Sequence, residues 1–272
     1  MDKIQMIPLT AAVGGVAALA LRIWNLRAGF EEDTGLPIPG NQSFPALLAL
    51  LAVVLLALTA QSWRLSGNGN PRFPFRTQSR LLSILPVAGA VLLCLSGAAD
   101  ILEALGASQD PYEYTGLIGG ETVGMSTGIQ LASGALTLLS AWAVFECALA
   151  CLRGTLHGRA IVMIPAVSLA FRLVTVYRID SVNPVLQDYA PALVALLFHV
   201  LGFYSFSAFT FDSGDLRQFA IAAGGSVTLA LCVLADKSDY ISTPLLLLGS
   251  AAALAGFLVL ALQAPAQPAN NP

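Results

Sequence analysis

Residues 44 to 63 read Phe44-Pro-Ala-Leu-Leu-Ala-Leu-Leu-Ala-Val-Val-Leu-Leu-Ala-Leu-Thr-Ala-Gln-Ser-Trp63, without one charged side chain. At about 1.5 Å per helical residue, a run of roughly 20 apolar residues matches a hydrocarbon core about 30 Å thick. The stretch therefore reads as a membrane-crossing helix. Seven further runs share its character: Ile7–Leu26, Leu81–Leu102, Gly128–Leu152, Ala160–Tyr177, Ala190–Phe211, Leu216–Ala235 and Ile241–Leu262. The 272 residues are 56% hydrophobic and 11% charged, against about 45–50% and about 25% in soluble domains. Mean hydropathy is +0.75. Lipid offers backbone groups no partner, so each run must bond internally as a helix, and the alternating pattern of a membrane barrel is absent. The expected fold is an all-α polytopic membrane protein with eight transmembrane helices. Its main partner is the lipid bilayer. A net charge of −3, with no basic cluster outside the connecting loops, argues against nucleic acid.

The start of the quoted stretch returns later in the chain. Pro45-Ala-Leu-Leu-Ala-Leu-Leu51 is echoed by Pro191-Ala-Leu-Val-Ala-Leu-Leu197. Ala20-Leu-Arg22-Ile23 matches Ala170-Phe-Arg172-Leu173, and Gly89-Ala-Val-Leu-Leu-Cys-Leu-Ser-Gly-Ala-Ala-Asp100 aligns without a gap on Gly225-Ser-Val-Thr-Leu-Ala-Leu-Cys-Val-Leu-Ala-Asp236. Met125-Ser-Thr127 opens the fourth span as Ile241-Ser-Thr243 opens the eighth. These matches, in one order, imply a first four-helix repeat over residues 1–155, a second over 156–263, and a disordered tail over 264–272. Four is an even number, so the two repeats read as parallel-oriented, related by a pseudo-twofold axis along the membrane normal. Their main difference is the connector from Asp100 to Ser126, much longer than that from Asp236 to Ser242.

Orientation follows from Lys and Arg, which short cytoplasmic loops retain. Lys3, Arg64, Arg72, Arg76, Arg80, Arg153, Arg159 and Arg217 gather on one side, against Arg22, Arg27, Arg172, Arg178 and Lys237 on the other. Both termini are then cytoplasmic, in a multi-pass protein of the cell membrane, of the bacterial inner-membrane kind. The outer loops, with Glu31, Glu32, Asp33, Asp110, Glu113 and Glu121, read as an acidic face. Phe30–Gln42, which holds Pro37 and Pro39, reads as a structured outer turn. The first span resembles a signal peptide ending at Ala18-Leu-Ala20, but Asp2 precedes it and its counterpart is a full internal helix, so it reads as retained. Cys94, Cys147, Cys151 and Cys232 all fall within spans and read as small buried hydrophobes. Gly14, Gly15, Ala18, Gly89, Gly97, Gly128, Gly134, Gly224 and Gly225 read as contacts between closely packed helices.

Ionisable side chains inside a bilayer are costly, so each is a candidate functional residue. Arg22 and Arg172 occupy matching positions on the first and fifth spans, and Asp100 and Asp236 on the third and seventh. The sharp expectation is two Arg/Asp pairs around the axis, forming a polar vestibule whose arginines hold a small anionic solute. The plain alternative has the arginines snorkelling to the interface and the aspartates capping helix ends. His199 has Val53 as its counterpart, so the duplicated scaffold does not explain it. It is either specialised or a polar residue bonded to a neighbouring helix. With Tyr204 and the nearby phenylalanines it is a candidate lining of a cavity.

Enzyme chemistry finds little support. Cys147 and Cys151, one turn apart, with His157 in the next loop, do not form a known zinc signature. No haem site, P-loop or dinucleotide fingerprint is present, so no metal or cofactor is expected. Ser133-Gly134 and His199-Val-Leu-Gly202 faintly resemble the intramembrane serine proteases called rhomboids, which implies a serine hydrolase with Ser133 and His199 as its pair. The position two before the serine is Leu131 rather than glycine, and no His-x-x-x-Asn element is present. The leading functional expectation is a small-solute permease or solute-binding membrane component, its site between the two halves. The alternative is a non-catalytic anchor or assembly subunit with a membrane protein partner, and the intramembrane hydrolase is a remote third.

Overall fold

A computed structural model describes residues 6–31, 34, 36–65, 75, 83–107, 126–154, 160–181, 183, 185–211, 213–236 and 241–263. Asp2, Lys3, Glu32, Asp33, Arg72, Arg76, Arg80, Asp110, Glu113, Glu121, Met125, His157, Arg159, Lys237 and the tail 264–272 lie outside the described residues.

All eight expected spans are helices: α1 (Met6–Ala28), α2 (Ser43–Trp63), α3 (Ile84–Ala107), α4 (Thr127–Arg153), α5 (Ile164–Asp180), α6 (Leu186–Ala208), α7 (Leu216–Val233) and α8 (Ser242–Gln263). A 3-10 turn, Ala160–Met163, leads into α5, and another, Phe209–Phe211, follows α6. With its leading turn counted into α5, each is long and apolar enough to cross a membrane. Asp215 caps α7, its carboxylate accepting the Arg217 N–H at 2.9 Å. Gly154 ends α4 in the left-handed region at φ 68°, where a residue without a Cβ is favoured.

The turn between α1 and α2 is built as expected. Glu31 N–H donates to Leu36 O at 2.9 Å and Ile38 N–H to Gly29 O at 2.9 Å, and Phe30 and Pro37 form an isolated antiparallel bridge. The Asn41 amide donates to Ala28 O, tying the turn to the end of α1.

α7 and α8 are the most enclosed helices, α1 and α2 the least. α3 lies along α4 and α8, while α7 lies along α1 and α6. No comparably extensive contact joins α4 to α7 among the described residues, so the α3–α8 packing has no α4–α7 counterpart. The α3–α8 approach depends on glycine. A Cβ at Gly89 would lie 2.6 Å from both Ala253 N and Gly249 O, atoms of a helix backbone that cannot step aside. Gly128 differs from the sequence expectation, since nothing lies within 4 Å of a Cβ there. Gly89→Ala should therefore cost roughly 1–3 kcal/mol through overpacking. Gly128→Ala should be neutral or slightly stabilising. Unfolding of the two variants in detergent measures the difference.

At the end where α6 finishes and α7 begins, Phe75 from the α2–α3 connector is fully buried. Its ring meets Phe206, Phe209 and Phe219 edge-on, with centroids 5.0, 5.1 and 5.9 Å away. Phe206 in turn stacks on Phe257 of α8 at 4.2 Å. Phe203, Phe206 and Phe209 of the sixth span thus serve packing. Cys147, Cys151 and Cys232 are buried as expected, but Cys94 is exposed on the bundle surface.

Candidate functional site

The polar side chains converge at the opposite end, where the odd-numbered helices finish and the even-numbered ones start. Neither arginine snorkels: Arg22 is 0% exposed and Arg172 2%.

Arg22, near the end of α1, makes four hydrogen bonds. Its Nε donates to Asp236 Oδ1 at 2.6 Å, Nη1 to Asn25 Oδ1 at 2.8 Å and to Gln187 O at 3.0 Å, and Nη2 to Asp188 O at 2.8 Å. Two of these acceptors are backbone carbonyls in the first turn of α6, and Pro191 explains one of them. A helix closes by bonding each N–H to the carbonyl four residues back, and proline has no N–H. Pro191 therefore leaves Gln187 O unclaimed by its own helix, and Arg22 takes it. The chain of bonds continues from the Asn25 amide to Ser43 Oγ at 3.0 Å, so α1, α2, α6 and the end of α7 are joined. Asp236 lies just beyond the α7 span. Burial pushes its carboxyl above the usual carboxylate range, and the hydrogen bond from Arg22 pulls it part of the way back.

Arg172, in α5, has different company. Nη1 donates to Asp100 Oδ1 at 3.2 Å, to Asp100 Oδ2 at 3.1 Å and to Ser133 Oγ of α4 at 2.9 Å. Nη2 donates to Ser242 Oγ at 3.2 Å and Thr243 Oγ1 at 3.0 Å, both in the first turn of α8. Its Nε is buried and has no hydrogen-bond partner among the described residues, and the same holds for Asp236 Oδ2. Glu103 stands one turn after Asp100 on α3, near enough to both Asp100 and Arg172 to interact with them electrostatically, and accepts the Ile241 N–H. The Gln130 amide of α4 reaches its carboxylate at 3.4 Å. Ser96 Oγ donates to Ser242 O at 2.7 Å, pinning α3 to α8 beneath.

The four sequence-derived residues Arg22, Asp236, Arg172 and Asp100 thus meet as two ion pairs. His199 does not join them. It is fully buried, with Nδ1 2.6 Å from Ala195 O and Nε2 3.2 Å from Leu247 O, so it bridges α6 to α8. Tyr204 is 61% exposed, on the flank of the bundle. Ser133 is bonded to Arg172 and His199 to backbone carbonyls, so the structure does not bring the hydrolase pair together. Cys147 and Cys151 lie buried in α4, while the third residue weighed with them, His157, lies outside the described residues. Sequence reasoning missed Asn25, Ser43, Glu103, Gln130 and the polar role of Ser242 and Thr243. Their signal was position: each falls near the same end of a span as an arginine needing partners.

No family model matches this chain, and no curated protein or solved structure matches it either.

Proposed function

We propose that this integral membrane protein is a small-solute permease or solute-binding component, its solute held at the polar end between two four-helix halves, residues 1–155 and 156–263. Both termini lie in the cytoplasm of a cell whose outer membrane surface faces the polar end. One observation carries the reading: each ion pair joins one half to the other. Arg22 of the first half holds Asp236 of the second, and Arg172 of the second holds Asp100 of the first. Such pairs close the polar end as long as they hold and release it when they part, which is the motion that alternating access between two halves requires.

The two arginines then divide the work. Arg22 is bound by a carboxylate, an amide and two backbone carbonyls, a set that locks helices together. Arg172 is bound by one carboxylate and three hydroxyls, groups that exchange partners by rotating a single bond. The solute site is therefore placed at Arg172 and the lock at Arg22. In cells lacking the chain, uptake of a panel of labelled small acids and amino acids should fall for at least one solute. Wild-type chain should restore it, and Arg172→Gln at equal membrane abundance should not. The saturated Arg22 cluster alone would also suit a membrane anchor or assembly subunit. Normal uptake, with a partner protein co-purifying in fixed ratio, would favour that second reading.

A further inference from the structure

Resting on that assignment of the solute site, we propose that the Arg172 cluster binds a small zwitterion of the α-amino-acid type, carboxylate on Arg172 and the hydroxyls, ammonium on Glu103 and Asp100. The donors come first. Arg172 Nε is buried without a partner. The hydroxyls of Ser133, Ser242 and Thr243 accept from Arg172 and donate to no other described group. Among the described residues, three O–H donors on α4 and α8 and the guanidinium's own Nε–H therefore have no acceptor, and all but that of Thr243 are buried. A buried donor left unpaired costs free energy, and a carboxylate is the acceptor that satisfies several at once.

Charge decides against a simple anion. Asp100 already neutralises Arg172, and Glu103 adds a second carboxylate on the same face of α3, because residues three apart on a helix are neighbours. Of the other helices at this cluster, α8 carries no ionisable residue, and those of α4, namely Glu146, Cys147, Cys151 and Arg153, lie toward its other end. A bare carboxylate entering here would bring a further uncompensated negative charge into a low-dielectric site. A bare cation would suit the two carboxylates but leave the four donors unused. An ammonium beside a carboxylate answers both demands with no net charge added. The cluster lies close to the end of the bundle, where Glu103 and Thr243 are half-buried and Ile241 is 66% exposed.

The test uses the purified full chain in detergent, its thermal unfolding followed with three additions at matched ionic strength: a mixture of the standard α-amino acids, a mixture of sodium alkyl carboxylates, and a mixture of alkylammonium chlorides. The amino acids should raise the midpoint saturably and the other two should not. Glu103→Gln should raise the half-saturating concentration about ten- to hundredfold, and the Ser133→Ala, Thr243→Val double variant, which keeps the Arg172–Asp100 pair, should do the same. A shift produced equally by carboxylates would overturn the zwitterion while leaving a solute site at Arg172. A shift from alkylammonium chlorides alone would overturn it in favour of a cation site. No shift from any mixture would overturn both, and an amino-acid shift unaffected by either variant would place the ligand elsewhere.

Discussion

Replacing Arg22 with alanine should destabilise the protein by about 3–5 kcal/mol, the range found when one partner of a buried ion pair is removed. The loss is large because three of the four acceptors have no replacement. The carboxylate of Asp236, the Asn25 amide oxygen and the Gln187 carbonyl lose their donor, and Pro191 bars Gln187 O from recovering one within α6, whereas Asp188 O keeps the Ala192 N–H of its own helix. Arg22→Lys should recover less than half, since a single ammonium cannot reach across the fork that a guanidinium fills. The pH dependence that the raised Asp236 carboxyl already gives the wild type should also widen in the alanine variant. With Arg22 gone, burial and the nearby Asp188 carboxylate act unopposed on Asp236 and push its carboxyl further above the usual range in the folded state. The folded form then binds more protons than the unfolded one, so stability is greatest below the ordinary carboxylate pKa and falls as pH rises through the raised one. Denaturant titrations in detergent from acid to neutral pH measure both effects. An alanine variant as stable as wild type at neutral pH would contradict the lock.

Phe75→Ala should cost a comparable amount, about 3–5 kcal/mol for a buried aromatic ring. Phe75 is 0% exposed and touches three rings from α6, the turn after it and α7. Removing it leaves a void that the Phe206–Phe257 stack, already closed at 4.2 Å, has little freedom to fill. Phe75→Leu should recover most of the burial but not the edge-to-face contacts, each worth about 0.5–1.5 kcal/mol beyond area. Unfolding midpoints of the two variants should therefore fall in the order wild type, leucine, alanine.

The spans were legible because lipid imposes one solution on an uncharged run such as 44–63. The four charged residues were legible too, because an ionisable side chain within a span demands an explanation. Their partners were not. Which aspartate meets which arginine depends on how α1, α3, α5 and α7 pack, and apolar sequences of such low complexity do not encode that visibly. Tyr204 was misplaced for a reason the sequence did contain: five residues at about 100° each put it far around α6 from His199, whereas Phe203 and Phe206 return to the buried face. Pro191 was read only as a marker of repetition, although its missing N–H pointed to a carbonyl needing a donor. Phe75 was hidden among the arginines of a connector, with no periodicity to show that one of its rings turns inward.

The crossed pairing of the arginines and aspartates is the claim on which the site depends, and linking those positions tests it most directly. In a chain freed of Cys94, Cys147, Cys151 and Cys232, cysteines are placed at 22 and 236, at 172 and 100, at 22 and 100, and at 172 and 236. Each pair is treated in membranes with a short bifunctional thiol reagent. Efficient linking of 22 to 236 and of 172 to 100, with little between 22 and 100 or between 172 and 236, is the expected result. Linking confined to 22 with 100 and 172 with 236 would contradict it, because each arginine would then face the other aspartate.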